Sequence, residues 1–194
     1  MSSQLLVLAS TSPYRRELLS RLRIPFEVRA PGIDESALAG EAPRDTALRL
    51  AKQKAHAVAS SCPGALVIAS DQVAALDGES IGKPGGHERA VAQLNAMSGR
   101  CVTFHTALAV FNTANGALQL AEVPTEVYFR RCSQDEIERY LAAERPYDCT
   151  GSAKIEGLGI ALVEHMSSDD PTALIGLPLM QLVTMLKNEG VRLL

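Results

Sequence analysis

Residues 6–22 read LVLASTSPYRRELLSRL, and this stretch restricts the possible folds more than any other. Leu6, Val7, Leu8 and Ala9 form a short uncharged apolar run, the pattern of a buried strand. Ser10, Thr11, Ser12 and Pro13 interrupt it. Ser12 suits an N-cap, because its hydroxyl can accept from a free N–H of the first turn. Pro13 suits the first helical position, where no N–H is needed. From Tyr14 on, Leu18, Leu19 and Leu22 give an apolar helical face, and Arg15, Arg16, Glu17 and Arg21 supply charge. A helix N-terminus carries partial positive charge and favours acids, so two arginines there call for an anion. Free N–H groups, serine hydroxyls and guanidinium together suit a phosphate. The competing reading is a solvated turn with surface arginines.

The 194-residue length fits a single domain with two lobes at most, and the apolar content suffices for a sizeable core. A net charge of −3 supplies no global basic field for nucleic acid, so any anion site must be local. The four cysteines, Cys62, Cys101, Cys132 and Cys149, form no CxxC pair and read as free thiols in a reducing compartment. There is no signal-like N-terminus, and no apolar run nears the roughly 20 residues that span a bilayer. A cytoplasmic protein without a membrane or nucleic-acid partner is expected.

The remaining elements follow from periodicity. Residues 26–30 alternate like a half-buried strand, and Pro31, Gly32, Ile33, Asp34 and Glu35 turn the chain with two carboxylates at the strand end. A helix is expected over residues 44–60, with Lys54 in its middle, and a second buried strand over residues 65–70, ending in Asp71 and Gln72 and continuing as VAAL to a turn at Asp77-Gly78. Residues 81–86 read as a loop holding Lys83, residues 87–97 as a helix, and residues 101–112 and 118–130 as a hairpin turned at Asn115-Gly116. Ser133 caps a helix to Ala143. Residues 158–163 read as a strand, and Pro178 opens a last amphipathic helix. The order is mixed α/β around a long antiparallel hairpin.

Arg15 with Arg16, Glu35, Asp71 and Lys83 each sit just beyond an apolar strand or in the loop after it. Ligands of open α/β sheets lie beyond strand ends. Carboxylates there hold oxygen-seeking divalent cations, and lysines neutralise phosphate. An acid directly after ALVIAS is costly if buried and unpaired, so Asp71 must face solvent, pair with a base, or do chemistry. No G-x-x-x-x-G-K-[ST] or GxSxG is present, and His56, His87, His105 and His165 have no metal or triad spacing. GSAKIEGLG, residues 151–159, reads by itself as a flexible glycine-rich connection.

Taken in order, LASTSPYRRELL, GIDE, the second lysine of AKQKA, ASDQV, GKP, SG after the third helix, GSAKIEGLG and LIGLP resemble the motifs of the Maf family of nucleoside triphosphate pyrophosphatases. The resemblance implies an elongated mixed sheet flanked by helices, in two lobes around a central cleft, related to the inosine triphosphate pyrophosphatases. It implies hydrolysis between the α and β phosphates, a divalent cation (magnesium or manganese) and a homodimer. By matching position, Ser10 and Arg15 resemble the phosphate-binding residues, and Lys54 and Lys83 the lysines on the phosphates. Glu35 and Asp71 resemble the acids at the metal and the catalytic water, with Asp71 as proton acceptor.

Three positions bear on the base. Tyr14 precedes Arg15, Gln72 follows Asp71, and the glycine-rich loop carries Glu156. These resemble the members that cleave 7-methyl-GTP rather than dTTP or UTP, where arginine, threonine and glutamine are common. N7-methylguanine carries positive charge on its ring, and an aromatic face stabilises a cation by roughly 0.5–2 kcal/mol. An ionised Glu156 accepts from guanine N1–H and the 2-amino group but cannot donate to a pyrimidine carbonyl. The rival from another class is a nucleotide-binding regulator of cell division, which has less need of both Glu35 and Asp71.

Overall fold

The structure, a computed structural model, describes residues 4–194. One seven-stranded mixed sheet runs through it in the order β2-β1-β3-β5-β6-β7, with β4 pairing β3 outside this path. The elements are β1 (Leu6–Ala9), α1 (Pro13–Ser20), β2 (Glu27–Arg29), α2 (Pro43–Ala59), β3 (Leu66–Leu76), β4 (Glu79–Ile81), α3 (His87–Met97), β5 (Cys101–Asn112), β6 (Leu118–Phe129), α4 (Gln134–Glu144), β7 (Val163–Ser168) and α5 (Leu179–Asn188). β1 pairs in parallel with β2 and β3, and all other pairs are antiparallel.

The sheet is buried on both faces at one end. Leu6, Leu8, Leu66, Ile68, Leu108 and Val110 pack against Leu18 and Leu19 of α1 and Leu182 and Leu186 of α5. Val7, Val67, Ala69, Ala107 and Ala109 face Ala47, Ala51, Ala55 and Val58 of α2. Alanine dominates this second interface, which lets α2 lie close to the strands. At the other end, Ala74, Val102, Phe104, Val127 and Phe129 pack against α3 and α4 through Leu94, Met97, Ile137 and Leu141. The α1–α5 and α3–α4 layers cover the same face of β3, since Leu66, Ile68 and Ala74 are spaced by even numbers of residues. They leave a gap between them.

Strand register explains the gap. β3 pairs with β1 over Leu66, Val67 and Ile68, and with β4 over Ala74, Ala75 and Leu76. Among the described residues, positions 69–73 have no strand partner on that edge, while their pairing to β5 continues unbroken, Asp71 opposite Ala107 and Gln72 opposite Thr106. Asp71 therefore does not end a strand, as the sequence suggests, but sits inside one. β5 is long enough to hold β3 extended past the point where β1 stops.

Two further expectations change. The strand expected over residues 158–163 is not formed there: Leu158–Leu162 is a 3-10 turn, and β7 starts only at Val163. Gly159 lets the chain fold back on itself, its N–H donating to Lys154 O at 3.0 Å where an added Cβ would lie 2.5 Å from that same oxygen. β2 is less buried than its alternation suggests, with Val28 43% exposed, because β2 is an edge strand and no helix covers that side chain. The α3, β5, β6, α4 and α5 expectations hold within a residue or two. The Ser133 cap forms a full capping box with Glu136. Pro124 does not interrupt β6: its carbonyl accepts from the Ser168 hydroxyl at 3.1 Å, so that edge of the residue faces β7 and its ring nitrogen deprives β5 of no donor.

Candidate active site

A cleft of about 900 Å³ opens on the unpaired edge of β3. Every residue singled out in the sequence for chemistry or base reading lines it: Ser10, Tyr14, Arg15, Glu35, Lys54, Asp71, Gln72, Lys83 and Glu156. Arg16 is the exception among the charged residues at the start of α1. It is exposed and faces a separate surface depression beside Phe26 and Val28.

The β1–α1 turn is built as its sequence implies. Ser12 caps α1, its Oγ accepting from the Arg15 N–H at 3.4 Å, and Pro13 opens the helix. Ser10, only 3% exposed, accepts from the Ser12 N–H at 3.1 Å, which leaves its hydroxyl hydrogen available to a ligand oxygen. Arg15 Nε donates to Gly176 O at 2.8 Å, so the guanidinium is aimed by the loop before α5. Gly176 has φ +110°, and a Cβ there would stand 3.3 Å from Arg15 Nε, so the close approach suits glycine. The same carbonyl accepts from Ser70 Oγ at 2.8 Å, tying the loop to β3.

The centre of the cleft is a three-residue ion cluster. Lys54 Nζ, on α2, donates to Asp71 Oδ1 at 2.6 Å and to Glu35 Oε2 at 2.7 Å. The Lys54 and Asp71 side chains are only 5% and 8% exposed, whereas that of Glu35 is 55% exposed on its loop. Asp34, the other acid of that turn, instead caps its own loop through Ser36 N–H and Oγ. Burial pushes the Asp71 carboxyl above the usual aspartate range, with Lys54 and then Arg15 pulling it back and Glu35 adding to the rise. Burial likewise lowers the Arg15 pKa, opposed by Asp71 and Glu35. A base of raised pKa beside two cations is the electrostatic form of a proton acceptor for water. Of the options open to Asp71, facing solvent is not what the structure shows.

A second group lines the same cleft. Tyr14 is half-buried, and Glu156 lies exposed on the glycine-rich loop. Burial, together with Cys149, Asp148 and Glu156, raises the tyrosine pKa, so Tyr14 presents a neutral aromatic face. Gln72 is more constrained than the sequence indicates. Its Nε2 lies 2.9 Å from Thr106 Oγ1, 3.1 Å from Ala173 O and 2.9 Å from Leu174 O. Its amide hydrogens are thus committed to the loop before α5, and only its carbonyl oxygen is left for a ligand. Lys83 is exposed in the loop after β4.

The sequence reading missed the carbonyls of Ala173, Leu174 and Gly176, which orient Gln72 and Arg15. Main-chain acceptors carry no side-chain signal, and Gly176 was visible only within LIGLP. It also missed Asp170, 2% exposed, whose carboxylate accepts from the Thr172 N–H at 3.0 Å and the Met180 N–H at 2.7 Å, holding that loop to the start of α5. Cys149 borders the cleft, but burial and then Asp148 push its thiol up to about 12, so it is no nucleophile near neutral pH. All four cysteines are free.

Comparison with known proteins identifies the family. Residues 5–189 match the family described as Maf-like protein. A protein of Cupriavidus metallidurans named 7-methyl-GTP pyrophosphatase is 60% identical over 185 residues, covering 95% of this chain and 93% of its own. A protein of that name from Ralstonia nicotianae is 60% identical over 183 residues, 94% of each chain. Another from Thiobacillus denitrificans is 59% identical over 193 residues, covering 100% of this chain and 96% of its own. With matched residues running from before β1 to the end of α5, this chain belongs to the Maf family.

Proposed function

We propose that the chain hydrolyses 7-methyl-GTP between its α and β phosphorus atoms, releasing 7-methyl-GMP and pyrophosphate. The observation that carries this reading is the Glu35–Lys54–Asp71 cluster in a cleft that Tyr14 and Glu156 also line. The names of the relatives supply the substrate.

In this reading Ser10, Arg15, Lys54 and Lys83 bind the triphosphate and offset the charge that builds on its oxygens. Asp71 accepts one proton from a water as the water oxygen bonds to the α phosphorus. The bond from that phosphorus to the bridging oxygen breaks, and pyrophosphate leaves with the electron pair. The raised pKa of Asp71, set by its burial against the pull of Lys54 and Arg15, makes it a better proton acceptor than an ordinary aspartate.

A divalent cation is part of the proposal. Among the described residues no group of three or more His, Cys, Asp and Glu could hold one. Glu35 and Asp71, however, converge on a single cationic point, the Lys54 ammonium. Two carboxylates completed by substrate phosphate oxygens and water form the donor set that magnesium takes, so the residues fit. Glu35 and Asp71 would hold the ion, which would neutralise phosphate charge and lower the pKa of a bound water.

At the base end, Tyr14 offers a ring face to the cationic N7-methylguanine, and Glu156 accepts from its N1–H and 2-amino group. A glutamate at position 156 argues against the dTTP/UTP reading. The joint presence of Glu35 and Asp71 argues against a regulator that only binds. The test is pyrophosphate release with magnesium or manganese from 7-methyl-GTP, GTP, dTTP, UTP, CTP and ITP. Release mainly from 7-methyl-GTP is expected. Preference for dTTP or UTP would refute the base assignment, and tight binding with no release would refute the enzyme.

A further inference from the structure

Lys154, the lysine of the glycine-rich loop, has no place in the chemistry above. It turns away from the cleft: Ala153, Ile155 and Glu156 line the cavity, while Lys154 Nζ meets Glu144 Oε1 at 2.7 Å. The second oxygen of the same carboxylate accepts from the Leu158 N–H at 2.9 Å. Between these two contacts the chain makes a tight turn, closed by Gly157 N–H donating to Lys154 O at 3.1 Å, and Glu156 stands in its middle. One carboxylate therefore grips both feet of the turn that carries the base-reading acid.

Three further observations separate this grip from a chance surface ion pair. Glu144 is the last residue of α4, where the helix dipole disfavours an acid. Its side chain is only 16% exposed, and Lys154 holds its carboxyl below the usual glutamate range. The turn is also fitted to the carboxylate: a Cβ on Gly157 would lie 2.8 Å from Glu144 Oε2. One turn earlier on the same helix, the Tyr140 hydroxyl donates to Ser152 O at 3.1 Å and accepts from the Lys154 N–H at 3.0 Å. α4 is itself fixed in the distal core through Ile137, Tyr140 and Leu141.

We propose that Glu144 is a positioning residue for base selection: it sets the turn of residues 154–158 from behind, so that Glu156 meets the methylated guanine at a fixed place. The proposal rests on the 7-methyl-GTP reading. Glutamine at 144 retains one acceptor oxygen and turns a donor toward the second foot of the turn, so it breaks half of the grip with little change in volume.

The experiment measures kcat and KM of the full chain for 7-methyl-GTP and GTP in the wild type, Glu144→Gln, Glu156→Gln and the double variant. Displacement of a contact group by about 1 Å can cost on the order of 100-fold. Glu144→Gln is accordingly expected to raise KM for 7-methyl-GTP about tenfold and that for GTP by less, because both bases offer N1–H and the 2-amino group to Glu156 but only the methylated ring carries the positive charge that its carboxylate attracts. In the Glu156→Gln background it is expected to change the selectivity no further, because its effect passes through Glu156. Unchanged selectivity, or equal losses for both nucleotides in both backgrounds, would overturn the proposal in favour of a purely structural role. If Glu144→Gln does not fold, Lys154→Met removes one foot alone, and the same two outcomes decide. A wild type that does not prefer 7-methyl-GTP would refute the reading of function instead.

Discussion

Replacing Lys54 by methionine probes the centre of the cleft. The substitution keeps an unbranched chain of similar length and removes the ammonium that lies 2.6 Å from Asp71 and 2.7 Å from Glu35. Glu35 is exposed enough for water to replace the lysine, but Asp71 is 8% exposed and is left with Arg15 as its remaining cation. Stranding one partner of a buried pair costs about 3–5 kcal/mol. The carboxyl can escape part of that cost by binding a proton. With an unfolded aspartate pKa of about 3.9, protonation costs about 5 kcal/mol at pH 7.5 and about 2 kcal/mol at pH 5.5, which caps the loss at each pH. The sign follows from linkage. Losing Lys54 raises the folded pKa of Asp71 still further above its unfolded value, so the folded state holds a proton that the unfolded state has released. Stability relative to the wild type therefore falls as pH rises above about 4 and recovers as pH falls. For a chain of this size about 3–5 kcal/mol corresponds to a drop in Tm of roughly 6–20 °C at pH 7.5. At pH 5.5, where the cap is about 2 kcal/mol, the drop should be no more than about two-thirds of that at pH 7.5. Thermal unfolding followed by circular dichroism across this range reads it directly. A drop independent of pH would mean that lost packing, not a stranded carboxylate, is the cause. No drop at all would refute the buried ion cluster.

Asp71→Asn should lower kcat for 7-methyl-GTP by roughly 10²–10⁴-fold, the usual contribution of a general base, with the circular dichroism spectrum retained; activity within a few-fold of wild type would refute its role. In the wild type, kcat should fall on the acid side with an apparent pKa above the ordinary aspartate value, and a profile flat down to pH 4 would contradict the raised Asp71 pKa. Glu156→Gln should lower the preference for 7-methyl-GTP over GTP, and equal selectivity would mean that Glu156 does not read the base. The Glu41 carboxyl, hydrogen-bonded to Arg49 Nε at 2.6 Å, is held down to about 2. Its contribution to stability is present above about pH 4.5 and lost as pH falls toward 2, so Arg49→Met should flatten acid unfolding measured over that window; an unchanged slope would contradict the pair.

What the sequence displays and what it hides divide along physical lines. α3 and β5 are legible to the residue, because a helical pattern in the one and a run rich in Val, Thr, Phe and Ala in the other continue to a Gly or Asn stop. The phosphate turn is legible because Ser12 and Pro13 act locally. Register is not local. That Asp71 lies inside β3, on an edge left free between β1 and β4, depends on where two other strands stop. Lys54 is visible as a lysine in an apolar helix, yet its role as the bridge between Glu35 and Asp71 needs the α2 packing onto β3. The chain over residues 158–162 looks like a strand by composition. It folds as a turn because the Glu144 carboxylate accepts from the Leu158 N–H and the Lys154 carbonyl from the Gly159 N–H, nearer partners than another strand. Gln72 reads as a base-contacting residue in the sequence, whereas its amide hydrogens are committed to the main-chain carbonyls of Ala173 and Leu174.

The central claim is that water attacks the α phosphorus of 7-methyl-GTP beside Asp71. Turnover in heavy-oxygen water, followed by mass spectrometry of both products, tests it most directly. The account predicts one heavy oxygen in 7-methyl-GMP and none in pyrophosphate. Heavy oxygen in pyrophosphate or orthophosphate would place the attack on another phosphorus and contradict it.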